Sequence, residues 1–507
     1  MKNKNNFKLP GIILSLYLLL GASCDNAGNE IPPSEMPGFA PEVMFTGLTN
    51  DSRIATFDAR NLNHPKDVRT LTGLVDGDKI ISIDYRPATG QLYGLGETSR
   101  IYIINEQTGA ATALGVSSFS PALQGENASL DFNPTVDRIR VVTASGQNLR
   151  LHPELGTVVA TDGNISGGDL PMIGAVAYTN SVSGASETQL YDIDFSKNKL
   201  FIQTPPNEGG LQEVGDLGVN FEGSGNFDIN PDNAVSLAVT YHDKQSKLYM
   251  IDLNTGKASF VNRFDLPIIG LAFKTNPVAY ATDAQNKLYR FNPDAPNMNA
   301  VDLQGLEAGE TIVGLDFRPA NGALYAISDK SRLLTVNTAN GMVTAIGSGL
   351  FPMLTGSTFG FDFNPTVDRI RLVSNQGQNL RLHPDLGTVV FVDGILNPHQ
   401  PVVNAAAYTN NFPGAETTTL YVLDSDNYKL FKQDPPNDGV LVAIGNTNIA
   451  FDCNNGFDIG GHSNMGYALL QTNGKTAVYT INLETGAATK GKEFNINPTA
   501  LAVGLGF

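Results

Sequence analysis

A ten-residue string occurs twice in this chain. DFNPTVDRIR runs from Asp131 to Arg140 and again from Asp362 to Arg371. GQNLRLHPELGTVV follows from Gly146 in the first case, and GQNLRLHPDLGTVV from Gly377 in the second. The same offset, about 231 residues, carries VAYTNSVSGAS near Val176 onto AAYTNNFPGAE near Ala406, and PPNEG at Pro205 onto PPNDG at Pro435. A chain written twice must fold as two like units, so the repeat bounds every later inference.

A shorter period runs inside each copy. Apolar segments closing on a small set of turn residues recur at Asp84, Asp131, Tyr178, Asp228 and Phe273, then at Asp316, Asp362, Tyr408, Asp458 and Phe507. Their spacing, about 44 to 50 residues, divides each copy into five units. Each unit holds about four runs of alternating apolar residues rich in Thr, Tyr and Val. Gly109, Gly256, Gly341 and Gly486 stand at hairpin tips. No stretch after the N-terminal segment sustains a 3.6-residue period with caps, so helix is scarce. The reading is all-β: two tandem β-propellers of about five four-stranded blades each, because ten blades exceed the usual single ring. An elongated β-solenoid or a pair of sandwiches is the competing architecture. The copies are placed at residues 42–275 and 276–507, more chain than one core organises.

Residues 1–24 have the layout of an export signal. Lys2, Lys4 and Lys8 precede an apolar run, Leu9 to Leu20, and Gly21, Ala22 and Ser23 lead to Cys24. The apolar run is too short to span a bilayer. Small residues ending on a cysteine are similar to a bacterial lipobox, with Gly21 where Leu is usual, so Cys24 is expected to carry lipid as the mature N-terminus. Residues 25–41, rich in polar residues, Pro and Gly, read as a flexible tether. The expected address is a bacterial cell envelope, with a lipid anchor in the outer membrane and the periplasmic or surface side left open.

With Cys24 lipidated, Cys453 has no partner for a disulfide, and its counterpart in the first copy is Gly223. A net charge of -17 repels a phosphate backbone, which sets nucleic acid aside as a partner. Trp is absent, which weakens a stacking site for sugars without excluding Tyr or Phe in that role.

The repeated string carries a basic stripe. In the hairpin of DRIRVV with NLRLH, period-two alternation sets Arg138, Arg140, Asn148, Arg150 and His152 on one face, and Ile139, Val141, Leu149 and Leu151 on the other. Arg369, Arg371, Asn379, Arg381 and His383 repeat the pattern. Guanidinium groups against a neighbouring blade need carboxylates. The expected partners are Asp84, Asp131 and Asp137, with Asp316, Asp362 and Asp368 in the second copy. The functional alternative makes the same residues an anion or acidic-sugar pocket, with Arg138 and Arg150 supplying charge and His152 a hydrogen bond. The Asp-Phe-Asn-Pro turns themselves are turn chemistry.

Of the six His, His152 and His383 recur, whereas His64, His242, His399 and His462 do not. The sequence has no HExxH, paired CxxC, P-loop or GxSxG elbow with partners. Asp192 with Asp194, and Asp424 with Asp426, are weak calcium candidates that lack the Gly and distal Glu of an EF-type loop. They read as a solvated hairpin between the first and second strands of a blade, and no cofactor is expected.

The run FDFNPTVDRIRLVSNQGQNLRLHPDLGTV, with AAYTNN, TTLYVLD, PPNDG and INLETGAAT, resembles a bacterial family known as domain of unknown function 4394, as two consecutive copies. The resemblance implies an exported or envelope protein of propeller type and brings no catalytic residues with it. The favoured expectation is a non-enzymatic binding or scaffold lipoprotein that presents propeller rims to a glycan, peptide or envelope protein. The alternative is a propeller hydrolase or lyase acting on a polyanionic or sugar substrate.

Overall fold

The computed structural model describes residues 38–507 apart from 126, 168–170, 296–297, 351, 399–400 and 453–454. The signal segment, Cys24, most of the tether, His399 and Cys453 lie outside the described residues. At the end of the tether, the Gly38 N–H donates to the Phe260 carbonyl at 3.1 Å, so the chain already touches the fold before residue 42.

Among the described residues forty strands form ten four-stranded sheets, every neighbouring pair antiparallel. One 3-10 turn, Pro436–Asp438, is the only helical segment among the described residues. Sheets two to five of the first copy are built from consecutive strands. They begin with Ile80–Tyr85, Ala128–Asn133, Ile173–Tyr178 and Ser224–Ile229. Sheet one is different, because its inner strand, Ile268–Ala272, comes from the end of the copy and pairs with Met44–Thr49 from its start. The second copy does the same, Pro498–Val503 pairing with Ala279–Asp283. The tenth inner strand therefore ends at Val503 and not at Phe507, four residues before the position the period suggested. Each copy is clasped by strands from its two ends.

The core follows from strand alternation. Ile139, Val141, Leu149 and Leu151 of sheet three meet Tyr93, Leu95, Ile101 and Ile103 of sheet two in one buried cluster. Similar clusters join sheets one and two, three and four, four and five, and finally five and one, where Leu237 and Val239 pack on Phe45 and Phe57. The second copy repeats the set, ending where Leu469 and Val478 meet Ala279 and Val503. Every sheet thus buries both faces, at roughly 1.5–3 kcal/mol for each large apolar side chain. Isolated four-stranded sheets could not do so.

The string DFNPTVDRIR belongs to one sheet. Asp131–Asn133 ends its inner strand, Arg138 opens the second strand, and Asn133 faces Arg138 across the turn. Asp137 turns the corner with φ +49°, in the left-handed region, as does Asp368 in the second copy. This places the string inside a sheet, not at the junction of two. The Asp192 and Asp194 candidates lie in the second strand of sheet four, Leu190–Asp194, and both are fully buried. Asp194 Oδ1 accepts from the N–H groups of Ser196 and Lys197 at 2.8 and 3.1 Å, and Asp424 does the same for Asp426 and Asn427. Asp194 and Asp424 cap the turn between strands two and three, and Asp192 lies inside the second strand opposite Phe201, which corrects the expected solvated position between strands one and two.

Candidate functional site

Three polar clusters recur in the two copies. The first lies where inner strands of three sheets come together. An inner strand has one unpaired edge, whose buried N–H groups still need acceptors. Asp84 supplies them, accepting from Tyr85 N at 2.7 Å and, across to the next inner strand, from Phe132 N at 2.8 Å. Asp131 accepts from Tyr178 N at 3.1 Å, and Asp228 from Phe273 N at 2.6 Å. Asp316, Asp362 and Asp458 make the same stitches to Phe363, Tyr408 and Val503. At this register the two remaining inner strands carry Ala177 and Ala272, or Ala407 and Ala502.

In each copy the three carboxylates offer oxygens within 4.8 Å of one another. Burial, and the mutual repulsion of the group, push Asp84 and Asp131 well above the ordinary carboxylate range; burial pushes Asp228 up to about 7. Oxygen ligands at this separation match the hard-cation pattern of calcium. The main-chain N–H bonds account for the same carboxyls as strand-to-strand stitches.

One step along the strands the copies diverge. Ser82, Ser129 and Asn226 accept from Leu130, Val176 and Leu271 N–H groups at 3.0, 3.1 and 3.3 Å. The counterparts are Gly314, Gly360 and Gly456, where neighbouring inner strands approach so closely that a Cβ on Gly360 would lie 2.5 Å from Ala406 Cβ.

The second cluster holds the basic stripe. Arg140 and Arg150 are a cross-strand pair, and both reach Asp162, directly after the outer strand Val158–Thr161, Arg140 at 2.6 Å and Arg150 in a fork at 2.7 and 2.9 Å. Arg140 also donates to Asn148 and to Asn207, each at 2.7 Å. Asn207 belongs to the repeated PPN turn of the next sheet, so the conjunction of the two motifs is one joint. Arg371, Arg381, Asp393, Asn379 and Asn437 reproduce it. The two guanidiniums hold Asp162 below its usual range against the opposing effect of burial. Arg381 additionally stacks on Phe391, 4.0 Å from its ring centre, where the first copy has Ala160.

The third cluster lies on a rim. Arg86, fully buried, forks onto Asp137 at 2.9 and 2.5 Å and reaches Glu154 at 2.9 Å. Burial opposes ionisation of Asp137, but Arg86 outweighs it and keeps the carboxyl low. Arg318, Asp368 and Asp385 are the second-copy version. His152 stands beside this cluster. Its Nδ1 accepts from Glu154 N at 3.3 Å, and burial, with Arg138 and Arg86 nearby, lowers its pKa to about 4. The imidazole is neutral at pH 7, so its 3.9 Å approach to the Glu154 carboxylate is not an ion pair. His383 Nδ1 accepts from Asp385 N in the same way. Arg138 and Arg369 donate to the carbonyls of Asp137 and Asp368, both at 2.8 Å.

Sequence reasoning thus put the arginines on the correct face and assigned them the wrong acids. Asp84 and Asp131 bind main-chain N–H groups, and Asp137 binds Arg86. The missed residues are Arg86, Glu154 and Asp162, with Arg318, Asp385 and Asp393, and in the first cluster Asp228 and Asp458. Their signal was recurrence at equivalent positions of both copies, in DYRP and DFRP, and in VVATDG and VVFVDG.

The rim clusters also meet the other copy. Arg86 donates to the Gly322 carbonyl at 2.9 Å, Thr338 Oγ1 to Asp137 at 3.1 Å, and the Tyr280 hydroxyl to the Ala88 carbonyl at 3.0 Å.

Fold and site together define an all-β protein of two five-sheet units, cemented by buried carboxylates that each copy repeats. The chain belongs to the family described as a domain of unknown function (DUF4394), which matches residues 53–272 and again 287–503. No curated protein matches it. Among solved structures it is similar to the Dos1 propeller, at 10% identity and a TM-score of 0.25, over 63% of this chain and 82% of that one. It is also similar to the extracellular domain of a hybrid two-component system from B. thetaiotaomicron, at 11% identity and a TM-score of 0.26, over 90% and 70% of the two chains.

Proposed function

We propose that each copy is a five-bladed β-propeller, spanning residues 42–275 and 276–507, and that the protein is a non-enzymatic binding or scaffold lipoprotein of the bacterial cell envelope. Support for the propeller comes from the core clusters that join the fifth sheet of each copy to its first. Cys24 would carry the lipid, in the outer membrane, and the tether would set the propellers off the surface. Labelling with radioactive palmitate tests this address: incorporation is expected in the parent and lost in Cys24→Ala.

One observation carries the binding role. The same rim cluster is closed in one copy and open in the other: the side chain of Arg86 is 0% exposed and that of Arg318 11%, Asp137 9% and Asp368 36%, Glu154 22% and Asp385 58%. Duplication therefore leaves a polar rim, with Arg369 and His383 beside it, available to a glycan, a peptide or an envelope protein. No nucleic acid or cofactor is required. The stripe arginines, held by Asp162 and Asp393, serve as joints.

Glycan and peptide arrays probed with the full-length protein and with Arg369→Ala/Asp385→Ala test the reading. Ligands are expected to bind intact and to be lost from the variant at an unchanged thermal midpoint. Cleaved array ligands, detected by mass spectrometry, would instead establish the hydrolase or lyase alternative.

A further inference from the structure

A cavity of about 220 Å³ opens at the seam of the two copies, away from the open rim of the second. Asp67, Arg69, Glu106 and Lys274 of the first copy line it, with Thr46 on its wall and His462 of the second copy across it. The wall is braced from behind. The buried Tyr85 hydroxyl donates to Glu106, contacts Thr46 Oγ1 at 2.8 Å, and lies beside Lys274, whose Nζ is 3.1 Å from Glu106. Gln107 Nε2 donates to the His462 carbonyl at 2.7 Å and ties the seam shut on one side.

These residues are not part of the repeat. At the positions of Thr46, Tyr85, Glu106 and Lys274 the second copy has Tyr280, Phe317, Thr338 and Gly504. Tyr280 and Thr338 are the residues that bind the first copy through Ala88 and Asp137. The second copy uses this corner for docking, and the first copy keeps it as a charged hollow. A bulge in the outer strand of sheet one, where the ladder jumps from Thr56↔Lys66 to Ile54↔Arg69, brings Asp67 and Arg69 to the same hollow.

The chemistry of the wall selects the ligand. Arg69 donates to two main-chain carbonyls, Gln107 O at 2.7 Å and Val68 O at 3.0 Å, neither of which neutralises it. Two bases face two acids, so the wall has both signs and no net charge. In a protein of net charge -17 an anion gains little here. A molecule bearing both charges satisfies both walls. The volume is below the roughly 300–1,000 Å³ of sites for drug-sized ligands, which restricts the guest to something near the size of one amino acid. His462, kept neutral by burial, adds a hydrogen-bonding ring without a third positive charge.

We propose that this seam cavity binds a free α-amino acid, its carboxylate toward Arg69 and Lys274 and its ammonium toward Asp67 and Glu106. Calorimetric titration of the full-length protein with a panel of free L-amino acids tests it, with propionate, ethylamine and glucuronate as probes of single charge. At least one amino acid is expected to saturate one site per chain. Its affinity should fall about tenfold or more in Arg69→Gln and in Asp67→Asn. Both positions lie on an outer strand, and Asn tolerates the left-handed backbone of Asp67 (φ +51°), so an unchanged thermal midpoint separates lost binding from lost folding. The proposal is overturned if no amino acid binds, if propionate or glucuronate binds as tightly, or if both variants bind like the parent. None of these outcomes touches the rim around Arg318, which the array experiment tests separately.

Discussion

Arg86 Nη1 donates to the Gly322 carbonyl of the second copy at 2.9 Å, while its counterpart Arg318 turns both terminal nitrogens to Asp368 and Asp385 of its own copy. One side chain, written twice, is a seam contact in the first copy and a rim residue in the second.

Their replacement should differ accordingly. Arg86→Met leaves the buried Asp137 without its cation and is expected to cost about 3–5 kcal/mol. Arg318→Met removes partly exposed pairs and is expected to cost about 1 kcal/mol or less. Chemical denaturation of the two variants measures the difference, and equal losses would contradict the seam assignment.

The joints of the stripe should instead be equivalent. Asp162→Asn strands Arg140, and Asp393→Asn strands Arg371, both arginines being nearly fully buried. Each change is expected to lower stability by about 3–5 kcal/mol. Denaturant midpoints close to each other for the pair would show that duplication kept this joint intact.

Acidity should favour the three-aspartate clusters. The Asp228 carboxyl keeps its proton to about pH 7 in the fold, whereas an unfolded Asp releases it near 3.8. Between those values the folded state binds the extra proton, so this group's contribution to stability is full at low pH and is lost as pH rises toward 7. Asp458, also pushed up to about 7, behaves alike. The parent is therefore expected to lose more stability than Asp228→Asn between pH 5 and pH 7.5, by an amount on the order of a few kcal/mol. His152 acts oppositely, adding stability as pH rises from about 4 toward 6.5, and cancels in the comparison because both proteins contain it. Unfolding curves across that pH range give the answer, and parallel profiles would refute it.

Gly360 should refuse the residue its twin accepts. Ser129 accepts from Val176 N in the first copy, yet a Cβ at Gly360 meets Ala406 Cβ at 2.5 Å and Ala406 N at 2.6 Å. Gly360→Ser is expected to destabilise by about 1–3 kcal/mol, the range for overpacking. A thermal midpoint equal to that of the parent would show that the inner strands can part.

Much of this architecture was open to reading along the chain. The offset between DFNPTVDRIR strings showed two copies, the inner period showed five units in each, and alternation placed Arg140 with Arg150 and Ile139 with Val141 on opposite faces. Such features are local, set by backbone geometry within a hairpin. Partner choice was not local. Asp162 is 22 residues from Arg140, Asn207 is 67 away, and Arg86 is 51 from Asp137. Asp131 and Asp137, the acids in the string, were the natural guess, and the fold sent Asp131 to a main-chain N–H and Asp137 to Arg86 instead.

The sequence by itself determined the repeat, the strand content and which residue types line each hairpin face, because these depend on composition and on a period of two. Only tertiary structure decided that the last strand of each copy clasps its first, that three aspartates from three sheets come together, and that the rim holding Arg86 is sealed while that of Arg318 is open. Those outcomes come from packing sheet against sheet and laying one copy on the other. Two nearly identical strings then occupy different surroundings, and burial, not residue identity, separates the joint from the exposed rim.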